Sequence, residues 1–169
     1  MSATSVVVGI DVAKAYVDVA VLGGQFDARR FENQAEGHSA LAAALQPLDV
    51  ALVVMEATGG YEAALACALQ ATGLPVAVVN PKQARDFAKS MGVLAKTDRV
   101  DARCLRDFAD VLARHPDRLK YITPAADSQR EALAELMTRR RQLVEMRVAE
   151  SNRLELAAKR ARRSILSVI

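Results

Sequence analysis

The sequence is poor in the residue types that build several common kinds of functional site. Aromatic residues make up only 4% of the chain and Trp is absent, so a surface that binds single strands by base stacking is not indicated. Cys67 and Cys104 form no CxxC or Cys/His pattern, which argues against a structural zinc site or a disulfide framework. His38 and His115 lie in unremarkable settings. Carboxylates and basic side chains remain as the candidates for chemistry.

Long hydrophobic runs are also lacking. No apolar stretch approaches the roughly 18 residues that span a bilayer, and the N-terminus has no charged segment followed by an apolar one. We therefore expect a soluble, cytoplasmic protein with no membrane partner. The 169 residues, 51% of them hydrophobic, suffice for one domain with a core plus an appendage.

The net charge of +3 is distributed unevenly along the chain. Residues 1–126 contain 13 Lys and Arg against 14 Asp and Glu, a balance of −1, whereas residues 127–169 contain 10 against 6, a balance of +4. A basic tail is typical of a segment that binds a polyanion, although a solvated helix face explains such a run about as often.

Apolar periodicity and turn residues predict the element order βββαβαβα, with a further helix after it. Because each of the last two strands is followed by a helix, this order favours an α/β fold, a mixed sheet flanked by helices. The predicted strands are 6–12, 16–22, 27–32, 50–55 and 75–79, and the predicted helices are 36–46, 61–71, one that opens after Asn80-Pro81, and 97–114.

The last segment is predicted to be one long helix. Pro and Gly are absent from 127–169, and a helix of this length usually needs a partner. Its apolar residues at mostly three- and seven-residue steps are Leu133, Leu136, Leu143, Met146 and Leu154. Arg140, Arg147 and Glu150 interrupt the heptads, but a coiled-coil-like homo-oligomer is still expected. The predicted domains are 1–124, a catalytic domain, and 125–169, a basic oligomerisation helix.

Two carboxylates interrupt or end buried strands. Asp11 follows Val6–Ile10, and an unpaired carboxylate in such a strand costs several kcal/mol to bury. Glu56 ends the apolar run 50–55 in the same way. The ordinary alternative for Asp11 is a strand-end side chain that faces water or pairs with a nearby Lys, and the alternative for Glu56 is a Glu that faces a loop. In open α/β sheets, however, polar groups at the carboxyl ends of strands tend to form sites.

Asp98 and Asp101 stand three residues apart at the start of a predicted helix. The simple interpretation is capping, with Asp98 as the N-cap and Asp101 as the third helical residue. Together with Asp11 and Glu56, however, they form an oxygen-only set of the kind that Mg²⁺ or Mn²⁺ prefers. Two such ions would assist phosphoryl transfer without a histidine.

Four blocks of the sequence, in order and at this spacing, resemble the DEDD transposase family, which comprises insertion-sequence transposases and a pilin-gene invertase. The blocks are Val8-Gly9-Ile10-Asp11-Val12-Ala13-Lys14, Met55-Glu56-Ala57-Thr58-Gly59-Gly60-Tyr61-Glu62, Val79-Asn80-Pro81 and Ala95-Lys96-Thr97-Asp98-Arg99-Val100-Asp101-Ala102. The resemblance covers essentially the whole chain. It implies an RNase H-like (RuvC-like) domain whose catalytic and metal-binding tetrad is Asp11, Glu56, Asp98 and Asp101.

The resemblance also implies a reaction. Members carry out Mg²⁺-dependent, site-specific DNA recombination in which a structured guide RNA bridges target and donor DNA, and a serine nucleophile lies in a C-terminal domain. The sequence stops at Ile169 within the basic helix. We therefore expect an N-terminal part that does not recombine DNA on its own.

Basic residues are the predicted contacts for DNA and guide RNA, because Lys and Arg bind phosphates without reading sequence. A solvated helix surface is the alternative for each group. The candidates are Lys82, Arg85, Lys96, Arg99, Arg103, Arg139, Arg140, Arg141, Lys159, Arg160, Arg162 and Arg163. The Gly59-Gly60 step is interpreted as a turn rather than a phosphate cradle, because no Lys-Ser/Thr follows it.

Two other functions compete with this interpretation. A sugar kinase or actin-like ATPase also begins with a strand bearing Gly-Ile-Asp, but it needs a duplicated domain for which this chain is too short. The other alternative is a non-catalytic truncated product that binds nucleic acid or dimerises with a full-length transposase.

Overall fold

The structure is a computed structural model, which describes residues 6–23, 28–92, 101–125 and 128–156. The chain divides into two compact units, Met1–Ala125 and Ala126–Ile169. The strands are β1 (Val6–Val12), β2 (Tyr16–Leu22), β3 (Ala28–Glu32), β4 (Val50–Glu56) and β5 (Val76–Val79). The helices are α1 (Ala35–Leu45), α2 (Ala63–Ala71), α3 (Pro81–Ser90), α4 (Ala102–Ala113) and α5 (Ser128–Leu156), with a 3₁₀ turn at Arg118–Tyr121.

The first unit is built on one five-stranded mixed sheet in the order β3-β2-β1-β4-β5. β1, β2 and β3 form an antiparallel meander, whereas β4 and β5 run parallel to β1. A mixed sheet in this order, with helices on both faces, fits the RNase H-like α/β fold, and the predicted mixed sheet is confirmed.

The two faces of the sheet are covered by different helices. On one face, Ile10 and Met55 are fully buried in a core that also contains Leu41 of α1 and Leu65 of α2. On the other face, the core includes Val54, Ala84 of α3 and Leu105 of α4 among its members. Because successive strand residues point to opposite faces, Asp11 and Glu56, each one position beyond a member of the first core, lie on the α3/α4 face.

A glycine in β1 allows α4 to lie against the sheet. A Cβ at Gly9 would stand 2.0 Å from the backbone nitrogen of Arg106 and 2.3 Å from the carbonyl oxygen of Ala102. Only a residue without a side chain permits this approach, since a real Cβ contact is far longer. Gly9 therefore brings the first turn of α4 close to the strand that carries Asp11.

The second unit contains α5, whose described length of 29 residues agrees with the predicted helix over that range. Its apolar side chains include Leu136, which is 68% exposed, and Met146, which is 58% exposed. Pairing of this helix with a copy of itself stays a prediction, and residues 157–169 lie outside the described residues.

Candidate active site

Asp11 and Glu56 lie where the sheet divides. The register of β1 and β4 ends at the pair Ile10 and Met55. At the next level, Asp11 is paired with Asp18 on β2, and Glu56 is paired with Val79 on β5. The two carboxylates therefore follow the last paired residues of two neighbouring parallel strands, on the same face. Such a fork at the carboxyl ends of strands is a common position for a site in open α/β sheets.

The pKa of Glu56 depends on its burial and on its neighbours Arg85 and Asp11. Burial raises the pKa of the Glu56 carboxyl, the guanidinium of Arg85 opposes the rise, and the negative charge of Asp11 adds to it. Desolvation and a neighbouring carboxylate both disfavour the charged form of an acid. A cation held between Asp11 and Glu56 would offset both effects.

Asp101 lies immediately before α4. It is the N-cap of that helix, and its Oδ1 accepts a hydrogen bond of 2.8 Å from the backbone N–H of Cys104. The interpretation in which Asp98 caps the helix and Asp101 is its third residue is therefore wrong. The helix begins at Ala102 because Asp101 provides the cap itself, a role in which Asp is favoured.

Asp101 and Asp11 share the wall of one open cavity. The cavity has a volume of about 370 Å³ and is also lined by Asp18, Arg30 and Arg103, among others. One oxygen of Asp101 is used by the cap, so its second oxygen remains the candidate metal ligand. Asp98, Lys96 and Arg99 lie outside the described residues.

The donor set suits a hard cation, but the described residues do not complete a site. Within residues 6–23, 28–92, 101–125 and 128–156, no three His, Cys, Asp or Glu side chains are grouped closely enough to hold a metal ion. Asp11, Glu56 and Asp101 are therefore not brought together as one metal-binding group, and Asp98 is the fourth member of the predicted tetrad. Burial and the charges of Asp101 and Asp107 raise the pKa of the nearby Cys104 thiol, and a thiol is a softer ligand than Mg²⁺ prefers.

Sequence reasoning missed an ordered ion pair next to Asp11. The guanidinium of Arg30 on β3 binds the carboxylate of Asp18 on β2 through two hydrogen bonds of 2.7 and 2.8 Å. It also lies 3.9 Å from the ring centroid of Tyr16, and the Asp18 bond is the main cause that raises the pKa of Arg30. Asp18, Asp11 and Glu56 thus lie side by side on three neighbouring strands, and Asp18 is already paired with the cationic side chain of Arg30. Opposite charges at facing positions of a hairpin are the signal that would have found it.

The Gly59-Gly60 step is a turn, closed by the side chain of Glu62. The Glu62 carboxylate accepts hydrogen bonds from the backbone N–H groups of Thr58, at 2.9 Å, and Gly60, at 3.0 Å. This agrees with the interpretation as a turn. Hydrogen bonds to the Glu62 side chain therefore hold the loop that follows Glu56.

The described basic candidates are mostly exposed. Lys82 and Arg85 lie on α3, whose start is fixed by the Asn80 capping box, and the Arg85 Nε donates to the carbonyl of Pro81 at 3.2 Å. Arg103 lies on α4. Further candidates on α5 are Arg139, Arg140 and Arg141, and Lys159, Arg160, Arg162 and Arg163 lie outside the described residues.

The sheet order defines an α/β protein of RNase H-like topology, in which Asp11 and Glu56 follow the last paired residues of β1 and β4. The chain belongs to the DEDD transposase family, because the family model of the IS110 type, described as a transposase, matches residues 8–161. No curated protein matches the chain.

Solved structures of RuvC are among those similar to the chain. Thermus thermophilus RuvC in complex with a Holliday junction substrate has 16% sequence identity, covers 65% of this chain and 95% of that chain, and gives a TM-score of 0.47. A second Thermus thermophilus RuvC structure has 18% identity, covers 55% and 74% of the two chains, and gives a TM-score of 0.41.

Within the described residues, no helix is long and apolar enough to cross a membrane.

Proposed function

We propose that the chain is the metal-dependent catalytic part of a DNA transposase, and that Asp11, Glu56, Asp98 and Asp101 hold its divalent cations. The observation that carries this proposal is the fork of the sheet, where Asp11 and Glu56 follow the last paired residues of β1 and β4 on one face. Membership in a transposase family supports DNA as the substrate.

Carboxylates alone define the chemistry of this site. Oxygen ligands select Mg²⁺ or Mn²⁺ over softer metals. When bound, such ions activate a nucleophile and stabilise the leaving oxygen of a phosphodiester. The protein's own residues orient the ligands: β1 and β4 fix the backbones of Asp11 and Glu56, and the N-cap bond fixes one oxygen of Asp101. Arg85, which acts on the charge of Glu56, is suited to bind a phosphate beside the site.

Metal binding is the direct test. Calorimetric titration with Mn²⁺ is expected to give clear binding to the wild type and strongly weakened binding to Asp11→Asn and Glu56→Gln. Asp18→Asn is the matched control, since Asp18 is adjacent to Asp11 but is neutralised by Arg30. Equal Mn²⁺ affinity in all four proteins would refute the tetrad.

Guidance by a structured RNA is a further part of the proposal. Arg139, Arg140 and Arg141 are exposed on α5, and contacts of this kind recognise phosphates rather than bases, as suits a partner whose sequence is read by pairing. Replacing all three by Gln should weaken binding of a structured RNA or a DNA duplex and reduce the salt slope by about three. The control replaces Arg114, the C-cap residue of α4, together with Arg118 and Lys120 of the 3₁₀ turn. An unchanged slope in the first variant would contradict the assignment.

Self-association through α5 is the remaining part. Leu136, Leu143 and Met146 are large apolar side chains that lie 49–68% exposed, and a helix with such residues usually pairs with another. Changing these three to Ser should convert an oligomer to a monomer in sedimentation. An identical mass for the wild type and the variant would refute it.

A further inference from the structure

A polar network, centred on the half-buried Asn33, connects the two loops that follow Asp11 and Glu56. The side-chain amide of Asn33, between β3 and α1, donates from Nδ2 to the carbonyl oxygen of Ala13 at 2.8 Å and to that of Tyr61 at 3.2 Å. Ala13 is two residues beyond Asp11, and Tyr61 is five residues beyond Glu56. One amide nitrogen therefore joins the loops that leave the two strands bearing the carboxylates.

His38 fixes the orientation of this amide. Its Nε2 lies 2.7 Å from the Oδ1 of Asn33, and the side chain is buried, with 6% exposure. Because Nδ2 of Asn33 is the donor to both carbonyls, Oδ1 is an acceptor, and the Nε2 of His38 must carry the proton. His38 thereby prevents Asn33 from turning its oxygen toward the carbonyls of Ala13 and Tyr61.

The start of α1, which carries His38, packs closely against the end of β3. A Cβ at Gly37 would meet the carbonyl oxygen of Glu32 at 2.0 Å, so the helix begins in backbone contact with the end of β3. Asn33 itself is held by a bond of 3.0 Å from its backbone N–H to the carbonyl of Ala15. The network is therefore attached to the end of β3 and to the loop between β1 and β2.

The position of this network matters because the sheet no longer joins the two strands at the carboxylates. Backbone pairing between β1 and β4 ends at Ile10 and Met55. Beyond that level, the Asn33 amide is a direct hydrogen-bonded link between the loops after Asp11 and Glu56.

We infer that Asn33 and His38 form a positioning clamp, in which the amide of Asn33, oriented by His38, sets the separation of the loops after Asp11 and Glu56 and so the spacing of the two carboxylates. The inference rests on the proposed metal site. Neither residue contacts metal or DNA in this role, and both act through the backbone of the loops.

The test combines metal affinity with loop opening, on the whole chain. Asn33→Ala and His38→Leu are expected to weaken Mn²⁺ affinity about tenfold to a hundredfold, the range found when groups that orient metal ligands are removed. His38→Gln keeps an amide donor toward Asn33 and should restore affinity to near the wild-type value. A purely structural role of His38 does not predict that rescue.

Gln70→Ala is the matched control. Gln70 also donates one amide hydrogen bond, of 2.7 Å, to a distant carbonyl, that of Thr123, so its loss should lower stability comparably but leave Mn²⁺ affinity unchanged. Amide exchange supplies a readout without metal: the N–H groups of Ala13, Thr58 and Gly60, all hydrogen-bonded within the two loops, should exchange faster in Asn33→Ala and not in Gln70→Ala.

The outcomes separate the clamp from the proposed function. Wild-type affinity and unchanged exchange in Asn33→Ala would overturn the clamp, as would an equal loss of affinity in Gln70→Ala. A wild type that takes up no Mn²⁺, with exchange altered as described, would refute the metal proposal and remove the clamp's role in it.

Discussion

Substituting Gly9 by Ala tests how closely α4 must approach the sheet. The added Cβ would lie 2.0, 2.3 and 2.6 Å from backbone atoms of Arg106, Ala102 and Leu105. To reach the usual contact of about 3.5 Å, the helix would need to move by roughly 1.5 Å. No flexible side chain is available to yield, so the cost lies at or above the upper end of overpacking, about 3 kcal/mol.

Urea unfolding followed by circular dichroism measures this cost. Gly73→Ala is the control, because Gly73 has φ +83° and a Cβ there meets open space, so only the left-handed backbone is penalised, by about 1–2 kcal/mol. Gly9→Ala should be the more destabilised variant and should also bind Mn²⁺ more weakly, since Asp101 at the start of α4 moves with the helix. If Gly9→Ala unfolds at the same urea concentration as the wild type, the close packing of α4 on β1 is wrong.

Three further predictions follow from individual side chains. Mn²⁺ at about one hundred times its Kd should stabilise the wild type by about 2.7 kcal/mol. A thermal-shift assay should show that Asp11→Asn loses this gain. An equal thermal shift in the wild type and in Asp11→Asn would exclude Asp11 as a ligand. Burial lowers the pKa of His38, so the unfolded chain binds more protons just below pH 6.5. The contribution of His38 to stability should therefore be full above that pH and decline below it toward the folded pKa. In urea melts at a series of pH values, His38→Gln should remove this decline. An unchanged pH profile in the variant would assign the decline to other groups. Asn80→Ala removes the capping box of α3 and should cost about 1 kcal/mol, while Asn80→Ser should cost much less; equal urea midpoints for the two variants would argue against the cap.

Much of the fold could be predicted because it depends on local patterns. The β-branched run Val6–Val8 and the alternation in Tyr16–Leu22 are decided by side chains that each strand buries, and Pro81 after Asn80 marks a helix start. Asp11 and Glu56 could also be identified from the sequence, because a carboxylate that follows an apolar run costs free energy to bury unless it has a partner.

The features that were missed depend on contacts between distant parts of the chain. The contact between Arg30 and Asp18 can be predicted only once the register of β2 and β3 is known. Asn33 gave no signal, because its two carbonyl partners belong to loops 20 and 28 residues away. The capping alternative places Asp101 at the third helical position, whereas it is the N-cap, because a helix start depends on which side chain reaches the free N–H groups.

Diffraction from a Mn²⁺-soaked crystal, recorded at the manganese absorption edge, tests the central claim most directly. The account predicts anomalous density at the fork of the sheet, with oxygens of Asp11 and Glu56 at about 2.0–2.2 Å from the ion and Asp98 and Asp101 completing the site. If two ions bind, they should be about 3.5–4 Å apart. Manganese bound elsewhere, or coordinated by neither Asp11 nor Glu56, would contradict the proposal that these carboxylates form the catalytic metal site.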